Sequence, residues 1–468
     1  MVLSTSPRRC GPWSDLPSDI LGLSMSRITS HADRVRVRAV CRSWLAGARQ
    51  EQRRRGLPAP SPWIAFRDGT LLDLADGRHE LHQAPVPAGA TCYGAVDGLL
   101  LLTHGAGRRS LVNPLSGSPA TPLPELCPAS FRPHFFDNDG MDKVIVISLP
   151  SLAQGSSPSP PEQLVAGLYG GSVIKISSLK PPPREVGGSP SPAAKEWNPR
   201  DGKKGVVVDI AQFQGKLYAL NKQEGLHVLE LPDHGGFLQA QTTTLSGTNC
   251  IADDPDAHGY HNEDWLAVYS DRQIVRRYLV ASGDRLLMVR RWIYMPPMLL
   301  SDSDETVCER TLRMEVFAAD LGDRRWTKVV GDGLNGQALF VSKQCSRSLP
   351  AGGGAREGCI YFLHEHLRGN DVEEPLGDSG VYDMSGSGTI TPLLGPESTP
   401  APLLCHSQRV PRVFYPGHCG GARRSRCFYL LRDGVKQDGG PPLHFEPVVL
   451  LMGNKRRPFP TWFFPEYV

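Results

Sequence analysis

Val206 to Pro232 reads VVVDIAQFQGKLYALNKQEGLHVLELP. Three apolar runs, rich in Val, Leu, Ile, Tyr and Phe, are cut by Gln214-Gly215 and then by Gly225. Runs of this length and composition are strand formers, and a glycine between them permits the backbone of a tight reversal. The stretch predicts a strand, a turn, a second strand over Lys216–Leu220, a turn at Gly225 and a third strand over Leu226–Leu231. The pattern recurs in YLVASGDRLLMVRR, with its turn at Gly283-Asp284, and in MEVFAADLGDRRWTKVV, with a turn at Gly322-Asp323 and Trp326 in the strand that follows. GLLLLTHGAGRRSLVNPLSG, CIYFLHEH and SGVYDMSGSGTITPL add further examples.

Each unit is a sheet too small to cover its own faces, so several must pack together. Recurring strand–turn–strand units without long amphipathic helices predict a mainly β body, a β-propeller in preference to a sandwich. The spacing of the units is irregular, and the source is visible. SLAQGSSPSPPEQ (151–163) and KPPPREVGGSPSPAAKE (180–196) are rich in Pro, Ser and Gly and read as disordered loops inserted between strands; AGGGAREG (351–358) reads the same way.

The chain has 468 residues, of which 40% are hydrophobic, enough for a sizeable core. A net charge of +3 excludes a polyanion binder by overall composition. The charge is uneven, however: residues 1–55 hold eleven arginines, no lysine and four acids, Asp15, Asp19, Asp33 and Glu51. A basic head precedes a slightly acidic body. Eleven cysteines, an odd number with no C-x-x-C pair, fit a reducing compartment better than a disulfide framework. MVLSTSPRRCGPW lacks an apolar signal core, and the longest apolar runs, around Leu99–Leu102 and Val448–Met452, are far too short to span a bilayer. The expectation is a protein of the cytoplasm or nucleus, with no membrane partner.

In the head, RVRVRAVCRSW (Arg34–Trp44) alternates like a strand, yet it also places Val37, Val40, Cys41, Trp44 and Leu45 at helical spacing. Ser30 as N-cap with Asp33 three residues on approximates a capping box, and the helical spacing persists through Ala48. The reading is a helix, its arginines spread over solvated faces. Upstream, WSDLPSDILGLSMSRI starts another helix, with Pro17 in its first turn and Ile20, Leu21, Met25 and Ile28 as the buried stripe. Gly22 costs about 1 kcal/mol in a helix interior, so this helix depends on its neighbours.

These residues carry a resemblance. Leu16-Pro17-x-Asp19-Ile20-Leu21, then Asp33-Arg34, then Val40-Cys41-Arg42-x-Trp44 resembles an F-box, the module that docks substrate receptors onto the Skp-type adaptor of cullin–RING ubiquitin ligases. The departure is that Gly22, Ser24 and Ser26 stand where F-boxes carry bulky residues. The body has a resemblance too. Cys92-x-Gly-x-x-x-Gly-Leu-Leu-Leu-Leu, LVNPLSG, DIxxxxGKLYAL, YLVxxxxxLLMVR, FxxDLxxxxW, ALFVS, CIYF and VYDM follow in an order similar to a plant family that joins an F-box to a KIB-type β-propeller, and PTWFFP near the C-terminus fits as well.

The resemblance implies an F-box over 10–50 and a propeller over 63–468; between them 51–62, with Pro58, Pro60 and Pro62, reads as a Pro-rich linker that holds the head at a semi-rigid offset. It further implies adaptor contacts through Leu16, Pro17, Ile20, Leu21, Val40, Cys41 and Trp44, a cullin reached through the adaptor, and an unidentified target protein on the propeller. The role expected is a non-catalytic receptor subunit. The alternatives are a propeller enzyme or small-molecule binder, and an F-box protein working outside a ligase.

Other motifs point to no chemistry. Gly331-Asp-Gly333-Leu-Asn-Gly336 matches G-x-G-x-x-G, but QALFVS after it reads as a strand, so no helix N-terminus would cradle a dinucleotide. His364 and His366 lack a third metal ligand, DDPDAHGYHNED (253–264) lacks calcium-loop spacing, and His418, Cys419 and Cys427 do not form a zinc knuckle. No cofactor, no metal and no nucleic-acid reading element is expected.

Overall fold

The computed structural model describes residues 12–465 apart from internal segments, the longest being 125–140, 149–162, 180–194, 198–205, 230–271, 296–309, 366–375, 394–427, 431–445 and 449–459. Three N-terminal helices precede a six-bladed β-propeller. After Arg55 no α-helix occurs among the described residues.

Blade one is built from Trp63–Ala65, Thr70–Asp73, Leu81–Gln83 and the C-terminal strand Thr461–Phe463, which pairs antiparallel with Trp63–Ala65. Blades two, three and five are four-stranded meanders that begin at Thr91–Val96, Met141–Ser148 and Arg272–Ser282. Blade four has Val207–Phe213, Lys216–Asn221 and Leu226–Leu229. Its first turn has Gln214 at φ 47° and Gly215 at φ 74°, the doubly left-handed pair that matches strand twist in a two-residue hairpin. Blade six departs from the meander. Its chain runs Gln337–Val341, turns back to Arg347–Pro350, then returns parallel to the first strand as Cys359–Phe362 before Gly380–Asp383 and Ile390–Pro392. A separate hairpin pairs Phe428–Leu430 with Glu446–Val448.

The core lies between blades. Side chains alternate across each strand, and here both faces are covered by neighbours. In blade four Leu217 and Ala219 pack toward blade three, while Tyr218 and Leu220 pack toward blade five. Six apolar clusters result, one at each blade junction, and the last joins blade six to blade one through Phe340, Tyr361, Ile64 and Trp462. There the Trp462 indole N–H donates to the Val341 carbonyl at 3.0 Å, locking the ring.

Buried polar groups bridge the blades as well. Asp209 accepts from Lys143 Nζ at 2.6 Å and from the Leu279 amide at 2.7 Å, joining blades three, four and five. Arg291, fully buried in blade five, donates to Thr311 Oγ1, Tyr278 Oη, the Leu363 carbonyl and Asp378, so each of its donors has an acceptor.

The helices are α1 (Ser18–Arg27), α2 (His31–Ala39) and α3 (Arg42–Arg55). Ser30 caps α2 as expected, its Oγ accepting from the Asp33 amide at 3.3 Å. Several expectations are corrected. The single helix through Ala48 is two, broken at Val40-Cys41. Pro17 is the N-cap of α1 and not a first-turn residue. In the expected stripe Leu21 and Met25 are buried, but Ile20 is exposed and Ile28 only half-buried. Arg34 is buried, not solvated, and its Nε donates to the Ile28 carbonyl at 2.6 Å, closing the end of α1.

The linker expectation also changes. α3 runs to Arg55, five residues into the stretch 51–62, and Pro60, Ser61 and Pro62 are buried. The head rests on blade one: Ser30 Oγ lies 3.1 Å from Asp73 Oδ2, His31 meets the Trp63 ring edge-on, and Ala32 joins the apolar cluster between blades one and two. Among the described residues the head therefore packs directly on blade one, and 56–59 of the linker lie outside the described residues. AGGGAREG is likewise ordered where described: Gly352 and Ala355 exchange backbone bonds, and the Arg356 amide donates to Tyr361 Oη at 2.8 Å. The insertions at 151–163 and 180–196 fall almost wholly outside the described residues.

Candidate functional site

The head is a three-helix unit around Leu21, Met25 and Ala48, with Leu16, Val37 and Trp44 packed against them. The Trp44 indole N–H donates to the Trp13 carbonyl at 2.6 Å, which ties the segment before α1 to α3. Of the residues expected to dock a partner, Pro17, Ile20 and Val40 are exposed, and Leu16, Cys41 and Trp44 are half-buried. Leu21, at 2% exposure, belongs to the interior and supports the surface without forming it.

Charged and apolar side chains share the outer surface of the head. Among the described residues eight large hydrophobic side chains are exposed, and five of them are in the head: Trp13 at 70%, Ile20 at 46%, Leu23, Val35 and Val40 at 59%. A helical unit this small loses stability by leaving such groups in water. Trp13, Leu23 and Val35 were not singled out from the sequence. Leu23 could have been, because it lies three residues after Ile20 on the same helix side.

Burial shifts two groups on the inner side of α2. Burial, and then the nearby Arg38, lowers the Arg34 guanidinium to about 10, while burial and both arginines lower the His31 imidazole to about 4. His31 is therefore neutral at physiological pH, and it contributes shape at the junction with Trp63.

On the propeller, a shallow groove of about 420 Å³ opens between blades four and five beside the turns at Gln214, Asp284 and Leu321, floored by Phe213 and Leu286. The glycine-rich loop at 331–336 leads into the strand Gln337–Val341, so no helix N-terminus faces a phosphate site there. His364 is buried, its Nδ1 accepting from the Asp378 amide at 3.0 Å; burial and the Arg291 guanidinium lower it to about 4. Its ring is committed to holding the Asp378 loop. His366, the 253–264 stretch, His418, Cys419 and Cys427 lie outside the described residues. Among the described residues no three His, Cys, Asp or Glu side chains converge as metal ligands, and no helix is long and apolar enough to cross a membrane.

A closed ring of six sheets preceded by a small helical head defines a six-bladed β-propeller. The profile of the KIB1-4 beta-propeller matches residues 71–383, two thirds of the chain, and the chain belongs to that family. Among solved structures it is similar to the WD40 domain of SCAP from fission yeast, at 9% identity over 55% of this chain and 57% of that one, with a TM-score of 0.26. The chain thus spans little more than half of that relative's length. It is also similar to the Swd1 β-propeller of Myceliophteria thermophila, at 10% identity over 57% and 79%, with a TM-score of 0.24. No curated protein matches.

Proposed function

We propose that the chain is the substrate-recognition subunit of a cullin–RING ubiquitin ligase, acting in the cytoplasm or nucleus. Its helical head docks an Skp-type adaptor and, through it, a cullin; its propeller holds a target protein for ubiquitination by other subunits. The reading is carried by the concentration of exposed apolar side chains on the head. It is supported by the LP-x-D-I-L and V-C-R-x-W motifs on the same helices and by membership of a propeller family. Ile20 and Val40 supply apolar anchors at the contact, the residue class that interface energetics reward once water is excluded. The packing of the head on blade one gives the adaptor and the target a fixed relative orientation.

The test is adaptor capture by purified full-length protein. Ile20→Asp/Val40→Asp changes exposed positions and leaves the buried head core intact, so the variant folds. It should weaken adaptor binding by at least about 2 kcal/mol, the loss expected of interface hot spots. Equal affinity of the variant and the wild type would overturn the reading.

A further inference from the structure

Blade five is longer than its neighbours. Arg272–Ser282, Arg285–Met295 and Arg310–Asp320 have eleven residues each, against seven and six for the first two strands of blade four. One face of blade five packs on blade four through Leu279, Met288 and Phe317, and Glu224 then reaches across to Arg277 and Arg290. Beyond Glu224 the same face continues with Trp292 and Tyr294 on one strand and their partners Arg313 and Arg310 on the next.

These four side chains form a ladder. The Arg313 guanidinium lies 4.4 Å from the centre of the Trp292 ring, and that of Arg310 lies 5.2 Å from the centre of Tyr294. Both arginines are exposed, and among the described residues neither lies within ion-pair distance of a carboxylate, although the Arg313 charge helps hold Glu315 below its ordinary value. The next carboxylate along, Glu315, is already engaged by Lys328 and Arg290. Stacking occupies the flat face of a guanidinium and leaves its edge donors free, fixed in plane for two-point contact with a carboxylate.

The spacing specifies the ligand. Trp292 and Tyr294 are two residues apart on one strand, so the ring positions that carry the guanidiniums repeat at about 7 Å, twice the rise of a strand residue. An extended peptide presents alternate side chains at the same repeat. We propose that this overhang binds an extended acidic segment of a partner protein, with carboxylates at alternate positions seated on Arg310 and Arg313. Two cations make a poor nucleic-acid site, which needs a basic stripe neutralising several phosphates. The partner class rests on reading the propeller as the part that holds the target.

The experiment titrates full-length protein with a fluorescein-labelled peptide of alternating glutamate and alanine. The comparisons are a block isomer of the same composition and a labelled single-stranded oligonucleotide. The alternating peptide should bind more tightly than the block isomer. Arg310→Ala/Arg313→Ala should weaken it by roughly tenfold per arginine, and Arg310→Lys/Arg313→Lys should not restore it, because an ammonium lacks the stacked fork. No binding by wild type, equal binding by the Ala variant, or tighter binding of the oligonucleotide through these arginines would each overturn the proposal. Adaptor capture is measured on the same samples. If it survives while peptide binding is absent, this surface fails and the receptor reading stands; the reverse pattern removes the receptor reading and leaves the surface.

Discussion

Glu224 shows how much a single side chain does here. It sits in the turn between the second and third strands of blade four at φ 64°, a conformation that non-glycine residues seldom adopt. Its carboxylate is fully buried between Arg277 and Arg290, with Nε donors at 2.8 and 2.6 Å, and its carbonyl accepts from the Trp326 indole at 2.8 Å. Removing the carboxylate would leave two guanidiniums away from water beside it. Glu224→Ala should therefore cost about 3–5 kcal/mol, the range for breaking a buried ion pair from one side. Urea denaturation at neutral pH measures this, and a loss below about 1 kcal/mol would mean that water reaches both arginines. The sequence pattern marked the turn at Gly225 and did not single out Glu224. Its partners are 53 and 66 positions away, and no local pattern announces a pair at that separation.

The helices of the head lean on one another through two glycines. A Cβ on Gly22 would lie 2.5 Å from Glu51 Cγ, and one on Gly47 would lie 3.2 Å from Leu21 Cδ2, so side chains of each helix fill the space a Cβ would need on the other. The small residue at 22 is thus a packing requirement as well as the propensity cost noted from sequence. Gly22→Ala gains about 1 kcal/mol of helix propensity, yet it forces apart a buried contact that overpacking studies put at about 1–3 kcal/mol. The net expected effect is destabilisation, seen as faster amide exchange in α1 and α3 with the propeller unaffected. Slower exchange would mean that Glu51 can move aside. Ser24 and Ser26 have no such role: they are exposed and donate to the carbonyls of Ile20 and Leu23 within their own helix.

The molecule as a whole depends on closing a ring between its two ends. Thr461–Phe463 pairs with Trp63–Ala65 across almost the entire length of the sequence, and Trp462 is fully buried between blade one and blade six. Truncating Trp462 removes a large apolar group and its bond to Val341, so Trp462→Ala should cost about 3–5 kcal/mol. The same urea titration would read it as a lower midpoint, and an unchanged midpoint would show that the seam does not rest on this indole. The six apolar junctions between blades explain why one seam matters: every other blade is held on both sides by continuous chain, and only this junction relies on a terminal strand.

Strand positions, the hairpin turns at Gln214-Gly215 and Gly283-Asp284, and the Ser30 cap were legible because they follow from local stereochemistry. A glycine in the left-handed region or a serine accepting from an amide three residues on needs no distant partner. The propeller was legible because repeated sheets of this size have few ways to cover both faces. The break at Val40-Cys41, the burial of Arg34, the seat of the head on blade one and the parallel return in blade six were not legible, and neither were the buried ion pairs nor the stacked arginines of blade five. Each depends on which surfaces meet after the ring has closed, and that is settled by packing and desolvation between residues far apart in the chain.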